Sequence, residues 1–196
     1  MSFFMDKLAI LSILFTALSI SVSPHPLILV ICYAIHELGH LFFATLVGAK
    51  IKKFKLGAFH LCLSYDCTEI SYLKEMLVCF GGIIFNVISA LILLLIPIFK
   101  GEVIDFFVLC NLSLALMNLY PAAILDGGGV LRSFLYIVTS QEKADKISRG
   151  VSIISTLILW LISVYLQLVL SSNLSLLIIS IVILIELCFS LKSNPS

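Results

Sequence analysis

The sequence predicts an all-α polytopic membrane protein with about six transmembrane helices and a candidate β-hairpin at the membrane edge. Three observations carry this. The chain has 196 residues, of which 61% are hydrophobic and only 12% charged, with a mean hydropathy of +1.21. A soluble domain of this length carries about a quarter charged residues, because its surface must face water. Charge, Pro and Gly also punctuate the chain into about six apolar segments, each near the roughly 20 residues that cross a bilayer. Finally, the basic residues segregate to one side when the segments are threaded alternately through a membrane.

The segments run approximately over 5–23, 26–48, 73–99, 103–121 with a continuation to about 139, 150–170 and 174–191. The first follows Lys7 and resembles a signal peptide in outline. Ser23-Pro24-His25-Pro26 offers no small-x-small cleavage site, however, and the next apolar run starts at once, so it reads as a retained span. The third is long enough to tilt or bend, with Gly81-Gly82 as the weak point. With Lys7 in the cytosol, Lys50, Lys52, Lys53, Lys55 and Lys74 fall on that side, as do Lys143, Lys146, Arg149 and Lys192; Arg132 lies toward it and Lys100 faces out. The consistent solution is a multi-pass protein of the cell membrane with both termini cytoplasmic.

Residues 51–66, IKKFKLGAFHLCLSYD, are not a span. Phe59, Leu61, Leu63 and Tyr65 alternate with His60, Cys62 and Ser64, and Gly57 sits at a turn position. A β-hairpin and a basic amphipathic loop both fit this pattern. The net charge of +1 gives no electrostatic case for nucleic acid. The six cysteines, Cys32, Cys62, Cys67, Cys79, Cys110 and Cys188, form no CxxC pair and are expected as free thiols.

The second segment carries His36-Glu37-Leu38-Gly39-His40 in its middle. Residues i and i+4 share a helical face, so both imidazoles can reach one metal ion, with Glu37 placed beside them as a general base. In a soluble helix this pattern arises by chance. Inside a bilayer an ionisable group costs on the order of 2.5–3.5 kcal/mol, and three within five positions are hard to explain as packing. His40 lies roughly 12 Å from the cytosolic end of its span at 1.5 Å per residue, within reach of the water that hydrolysis needs.

A catalytic zinc takes three protein ligands and one water, so two histidines call for a third partner. Asp126 is the candidate, within NLYPAAILDGGGV, where Pro121 and Gly127-Gly128-Gly129 would break the helix and turn the carboxylate inward. The alternative is a solvated Asp in a Gly-rich interfacial turn. Glu186 reads as an interior polar contact, His25 as a loop residue and His60 as a hairpin surface residue.

H36-E-L-G-H40, G82-I-I-F-N86 and N118-L-Y-P-A-A-I-L-D126-G127-G128 together resemble the site-2 proteases, intramembrane zinc metalloproteases, over roughly residues 26–140. The short loops make the stage IV sporulation protease branch, here without a CBS domain, the nearest likeness. The resemblance implies one protease domain over 1–196 with a catalytic core of about 26–140. It implies one zinc ion on His36, His40 and Asp126, Glu37 as catalytic base, and Asn118 and Asn86 near the substrate. It also implies a membrane protein substrate such as a tethered transcription-factor precursor. The branch usually has a second proline shortly before the Asp, where this chain has Ala122, Ala123 and Ile124, and an Arg after the two glycines, where Gly129 stands. Asn86 and Asn118 could instead be interhelical hydrogen-bond glue. A membrane metal-ion or proton transporter using the same buried cluster is the competing function, and a catalytically dead scaffold a third.

Overall fold

Long apolar runs leave a backbone surrounded by lipid one local way to satisfy its N–H and C=O groups, the α-helix. The structure, a computed structural model, follows that rule over the residues it describes: 25–56, 61–66, 70–96, 101–170 and 175–193. They fall into two units, Met1–Met117 and Asn118–Ser196.

In the first unit, helix α1 spans His25–Leu46. Pro26 enters at the first turn, where a missing N–H costs nothing. His25, expected in a loop, is the first residue of α1 and meets the ring of Phe106 edge-on at 4.4 Å. The helix stops at a left-handed Gly48 (φ 76°). Ala49 N–H then reaches back to the Ala44 carbonyl at 2.9 Å, which satisfies an orphan acceptor of the last turn.

Strands β1 (Lys50–Leu56) and β2 (Leu61–Asp66) follow, paired antiparallel from Lys50 opposite Asp66 to Leu56 opposite Leu61, with an irregularity between Ile51 and Lys53. Residues 57–60, with Gly57, Phe59 and His60, lie outside the described residues, so the expected alternation of faces is not described there.

Helix α2 (Tyr72–Leu95) packs along α1, and α3 (Glu102–Asn118) completes the unit. Gly81 and Gly82, expected as the weak point of a segment long enough to tilt or bend, sit inside the continuous helix α2. Their role is close approach: a Cβ on Gly39 of α1 would overlap the Gly81 carbonyl, and one on Gly81 would overlap the Gly39 carbonyl. The two backbones touch where neither has a side chain, as in small-residue interfaces between membrane helices.

The second unit holds α4 (Asp126–Val138), α5 (Gln141–Leu170) and α6 (Ser175–Ser193). One expectation is corrected. The helix breaks over 119–125, at Pro121, and Gly127, Gly128 and Gly129 form the first turn of α4 rather than the break. The fifth apolar segment, expected over 150–170, is the C-terminal part of a longer helix that starts at Gln141. No proline interrupts 141–150, and Glu142 and Lys146 pair at i,i+4 (3.9 Å), so Lys143, Lys146 and Arg149 ride on the helix. Ser163 of α5 and Ser180 of α6 join the two helices through their hydroxyls at 2.8 Å.

Polarity is inverted relative to a water-soluble fold. The largest fully buried side chains are Asn86, Asn111 and Thr156, while Leu95 and Leu168 are each 78% exposed and Leu116 72%. An exterior of this kind suits hydrocarbon. Among the described residues, three helices, His25–Leu46, Tyr72–Leu95 and Gln141–Val169, are long and apolar enough to cross a membrane. The expected first span, 5–23, lies outside the described residues, α3 has 17 residues, and the apolar stretch of α6 is Leu176–Ile185. Cys32, Cys110 and Cys188 carry free thiols.

The glycine contact yields a paired test. Gly81→Val forces a side chain into the α1 backbone and should cost about 3 kcal/mol or more. Gly150→Ala, where a Cβ meets nothing within 4 Å, should stabilise by about 0.5–1 kcal/mol. Denaturant unfolding in micelles, followed by helical circular dichroism, measures both.

Candidate metal centre

His36 and His40 stand one turn apart on α1 and are 3% and 7% exposed. Imidazoles this buried need their ring nitrogens accounted for. His40 Nδ1 lies 2.8 Å from the Val78 carbonyl of α2. A carbonyl only accepts, so Nδ1 carries the hydrogen and donates. His36 Nδ1 lies 2.7 Å from Asn86 Oδ1. The orientation of that amide is set by its other end: Asn86 Nδ2 donates to the Cys32 carbonyl at 3.1 Å, which an oxygen could not do. His36 Nδ1 must therefore also be the N–H.

A ring that carries its single hydrogen on Nδ1 presents the lone pair of Nε2, and the two Nε2 atoms face each other at 3.1 Å. Two acceptors so close repel unless a positive charge lies between or beside them, either a proton or a metal ion. Two nitrogens on a tetrahedral zinc at about 2.0–2.1 Å would be about 3.3–3.4 Å apart, so the pair fits that ion with a shift of a few tenths of an ångström. The anchored N–H groups are the outer-shell contacts that fix tautomer and ring orientation in histidine metal sites.

Gly82 makes room for the pair. A Cβ there would stand 2.5 Å from His36 Cε1 and 2.5 Å from His40 Nε2. Glu37, half-buried beside His36, accepts a 2.6 Å hydrogen bond from the Tyr33 hydroxyl one turn back, which holds its carboxylate in one rotamer. Tyr33 was not among the residues expected at the site, although its i−4 spacing from Glu37 in the sequence was a usable signal. Asn86, fully buried, has its amide committed to His36, Cys32 and Asn111.

Asp126 and Asn118 belong to the second unit. Asn118 closes α3, and after the 119–125 loop Asp126 is the first residue of α4. The loop is pinned by polar side chains of α5. Ser152 Oγ accepts from Ala123 N–H at 2.8 Å, Ser155 Oγ donates to the Pro121 carbonyl at 3.0 Å, and Tyr120 hydroxyl donates to the Ser155 carbonyl at 2.6 Å. Non-helical backbone is tolerated in an apolar setting only when its groups are satisfied in this way. A proline at 123 would have no N–H for Ser152, so the departure from the two-proline pattern has a structural counterpart here. Gly127 and Gly128 let the loop lie directly on the first turn of α4, since a Cβ on either would overlap the carbonyls of Leu119 and Ala122 respectively. Ser152 and Ser155 are too ordinary in composition to have stood out in the sequence.

Gly82→Ala is the sharpest structural test of the imidazole pair. The added methyl must displace both rings, and the expected result is loss of bound zinc while the helical circular dichroism of the protein is retained. Metal analysis of the purified protein measures it.

Comparisons with known proteins bear on what such a pair does. The family model for peptidase family M50 matches residues 101–162. A candidate zinc metalloprotease of Synechocystis sp. is 28% identical over 126 residues, which is 59% of this chain and 33% of the relative. The chain thus spans about a third of that curated relative's length. The site-2 protease from Methanocaldococcus jannaschii shares the fold with a TM-score of 0.66 at 23% identity, covering 97% of this chain and 89% of that one. The family model covers about a third of this chain, and the likeness to the Methanocaldococcus jannaschii protein is one of fold.

Proposed function

We propose that this chain is an intramembrane zinc endopeptidase of the site-2 protease family, in which His36, His40 and Asp126 hold one zinc ion and Glu37 is the catalytic base. The observation that carries the reading is the His36 and His40 pair, whose ring N–H groups are both anchored and whose Nε2 lone pairs converge at 3.1 Å. Such a pair supplies two ligands, and a carboxylate such as Asp126 supplies a third while leaving one position open. The peptidase family model and the zinc metalloprotease relative favour a protease over a metal or proton transporter.

Zinc, when bound, acts as a Lewis acid that makes a water nucleophilic near neutral pH. The chain's residues do the rest. Glu37, steadied by Tyr33, takes a proton from the attacking water and returns it to the departing amine, so no covalent intermediate is needed. The apolar surroundings strengthen each of these electrostatic contacts. Asn118 is read as a polar contact to the reacting carbonyl and Asn86 as the holder of His36.

The substrate is read as the transmembrane segment of a membrane protein, a tethered transcription-factor precursor among them, cleaved by a multi-pass enzyme of the cell membrane with both termini in the cytosol. Six spans and the stage IV sporulation branch belong to the same reading. A helical segment hides its carbonyls in i→i−4 bonds and must be extended before attack. Strands β1 and β2, read as lying at the membrane edge, would offer it an edge to pair with.

Reconstitution with a panel of single-pass substrates tests this directly. A chelator should abolish cleavage and added zinc restore it. Glu37→Gln should lower the rate by at least about 100-fold while leaving zinc bound, and Asp126→Ala should lose both zinc and cleavage. A Glu37→Gln variant that cuts at the wild-type rate overturns the mechanism. The strand-addition step has its own test: replacing Phe59–Tyr65 with a flexible linker should slow cleavage of helical substrates more than that of an already extended peptide.

A further inference from the structure

We infer that Asn111 is a positioning residue for the metal centre, acting through Asn86 to hold His36 in the tautomer that can ligate; this rests on the zinc reading proposed above. Asn111 lies on α3, outside every motif that marks the site, and is as completely buried as Asn86, both at 0% exposure. A primary amide in an apolar interior is costly unless each donor and acceptor is met, and in membrane helices such residues join helices together.

The partners of Asn111 are directional. Its Nδ2 donates to the Phe107 carbonyl one turn back at 2.9 Å and to Cys32 Sγ at 3.0 Å. The carbonyl can only accept, so Nδ2 must face Phe107 and Oδ1 must point the other way, where it accepts from Asn86 Nδ2 at 2.7 Å. Asn86 Nδ2 is thereby held at two acceptors, Asn111 Oδ1 and the Cys32 carbonyl. Its Oδ1 is left to accept from His36 Nδ1.

The order of donors and acceptors therefore runs one way, from a backbone carbonyl of α3 to Nδ1 of His36, and each amide is keyed by a carbonyl that forbids its reversal. If Asn86 turned over, its NH2 would face His36 Nδ1 and favour the hydrogen on Nε2, the atom a metal needs. Asn111 supplies one of the two acceptors that resist this. Simple interhelical glue would not require the two amides to be oriented in series.

Cobalt(II) titration of the full-length protein in micelles tests the inference, with affinity read by chelator competition and by visible d–d absorption, and no reliance on cleavage. Removing an outer-shell partner of a metal ligand weakens binding about 10–100-fold. Asn86→Leu should fall in that range and Asn111→Leu, one link further out, should weaken binding about tenfold. The double variant should bind no more weakly than Asn86→Leu alone, because Asn111 acts through Asn86. A purely structural role predicts the same additional loss in both backgrounds, and that result overturns the inference, as does an Asn111→Leu protein that binds like wild type. Should Asn111→Leu not fold, Asn111→Asp restores an acceptor for Asn86 and a carboxylic O–H for the Phe107 carbonyl. It should retain most of the affinity, and a loss as large as that of Asn86→Leu counts against the relay. A wild-type protein that takes up no cobalt overturns the zinc reading itself, and the relay with it; binding by wild type with no effect of Asn111 removes the relay alone.

Discussion

The Nε2 atoms of His36 and His40 lie 3.1 Å apart in the interior of the first unit, and much of the surrounding structure holds them there. The Val78 carbonyl and the Asn86 amide take the two Nδ1 hydrogens. Gly82 leaves the space the rings occupy, and the Gly39–Gly81 contact brings α1 and α2 close enough for a carbonyl of one helix to reach a ring on the other. The glycines and the polar partners are thus one device. Glycines set the distance between backbones, and at that distance the hydrogen bonds can form.

The same logic explains the inverted distribution of polarity. Hydrocarbon outside gives no reward for exposing an amide, so polar side chains gain by meeting one another inside. In the first unit they meet at the candidate metal centre. In the second they meet at the irregular 119–125 loop, where Ser152 and Ser155 supply what a regular helix would have supplied from its own backbone. Both units use polar side chains to sustain an arrangement that an unassisted apolar helix could not keep, and both arrangements bear on residues expected at the metal.

Much of this was legible in the chain. Hydropathy announced the long apolar helices, because an apolar exterior leaves a composition that no water-facing domain shares. His36, Glu37 and His40 were legible because their spacing coincides with the helical repeat. Gly81 and Gly82 were read only as a weak point, since a glycine pair in a helix looks the same whether it flexes or admits a neighbour, and the neighbour is 42 residues away in the case of Gly39 and Gly81. The polar first turns of α5 were not foreseen for a different reason. Charge ends a membrane span but not a helix, and Glu142, Lys143 and Lys146 are compatible with continued helix. Tyr33 could have been found from its spacing to Glu37. Asn111 offered only the general hint that an amide in an apolar helix has a reason to be there, and its partners are 25 and 79 residues away in sequence.

The bland explanation for buried His and Asn in membrane helices is adhesion between helices, and the hydrogen-bond directions separate it from the functional one. Adhesion is served by any donor meeting any acceptor, and the amide orientations would then be free to differ from site to site. Here Asn111 and Asn86 are each keyed by a backbone carbonyl, and both histidines donate from the same ring position, Nδ1. The consequence is a matched pair of acceptors side by side, which adhesion alone would penalise. Two ring nitrogens set side by side by such keyed contacts are what the zinc reading proposed above would use.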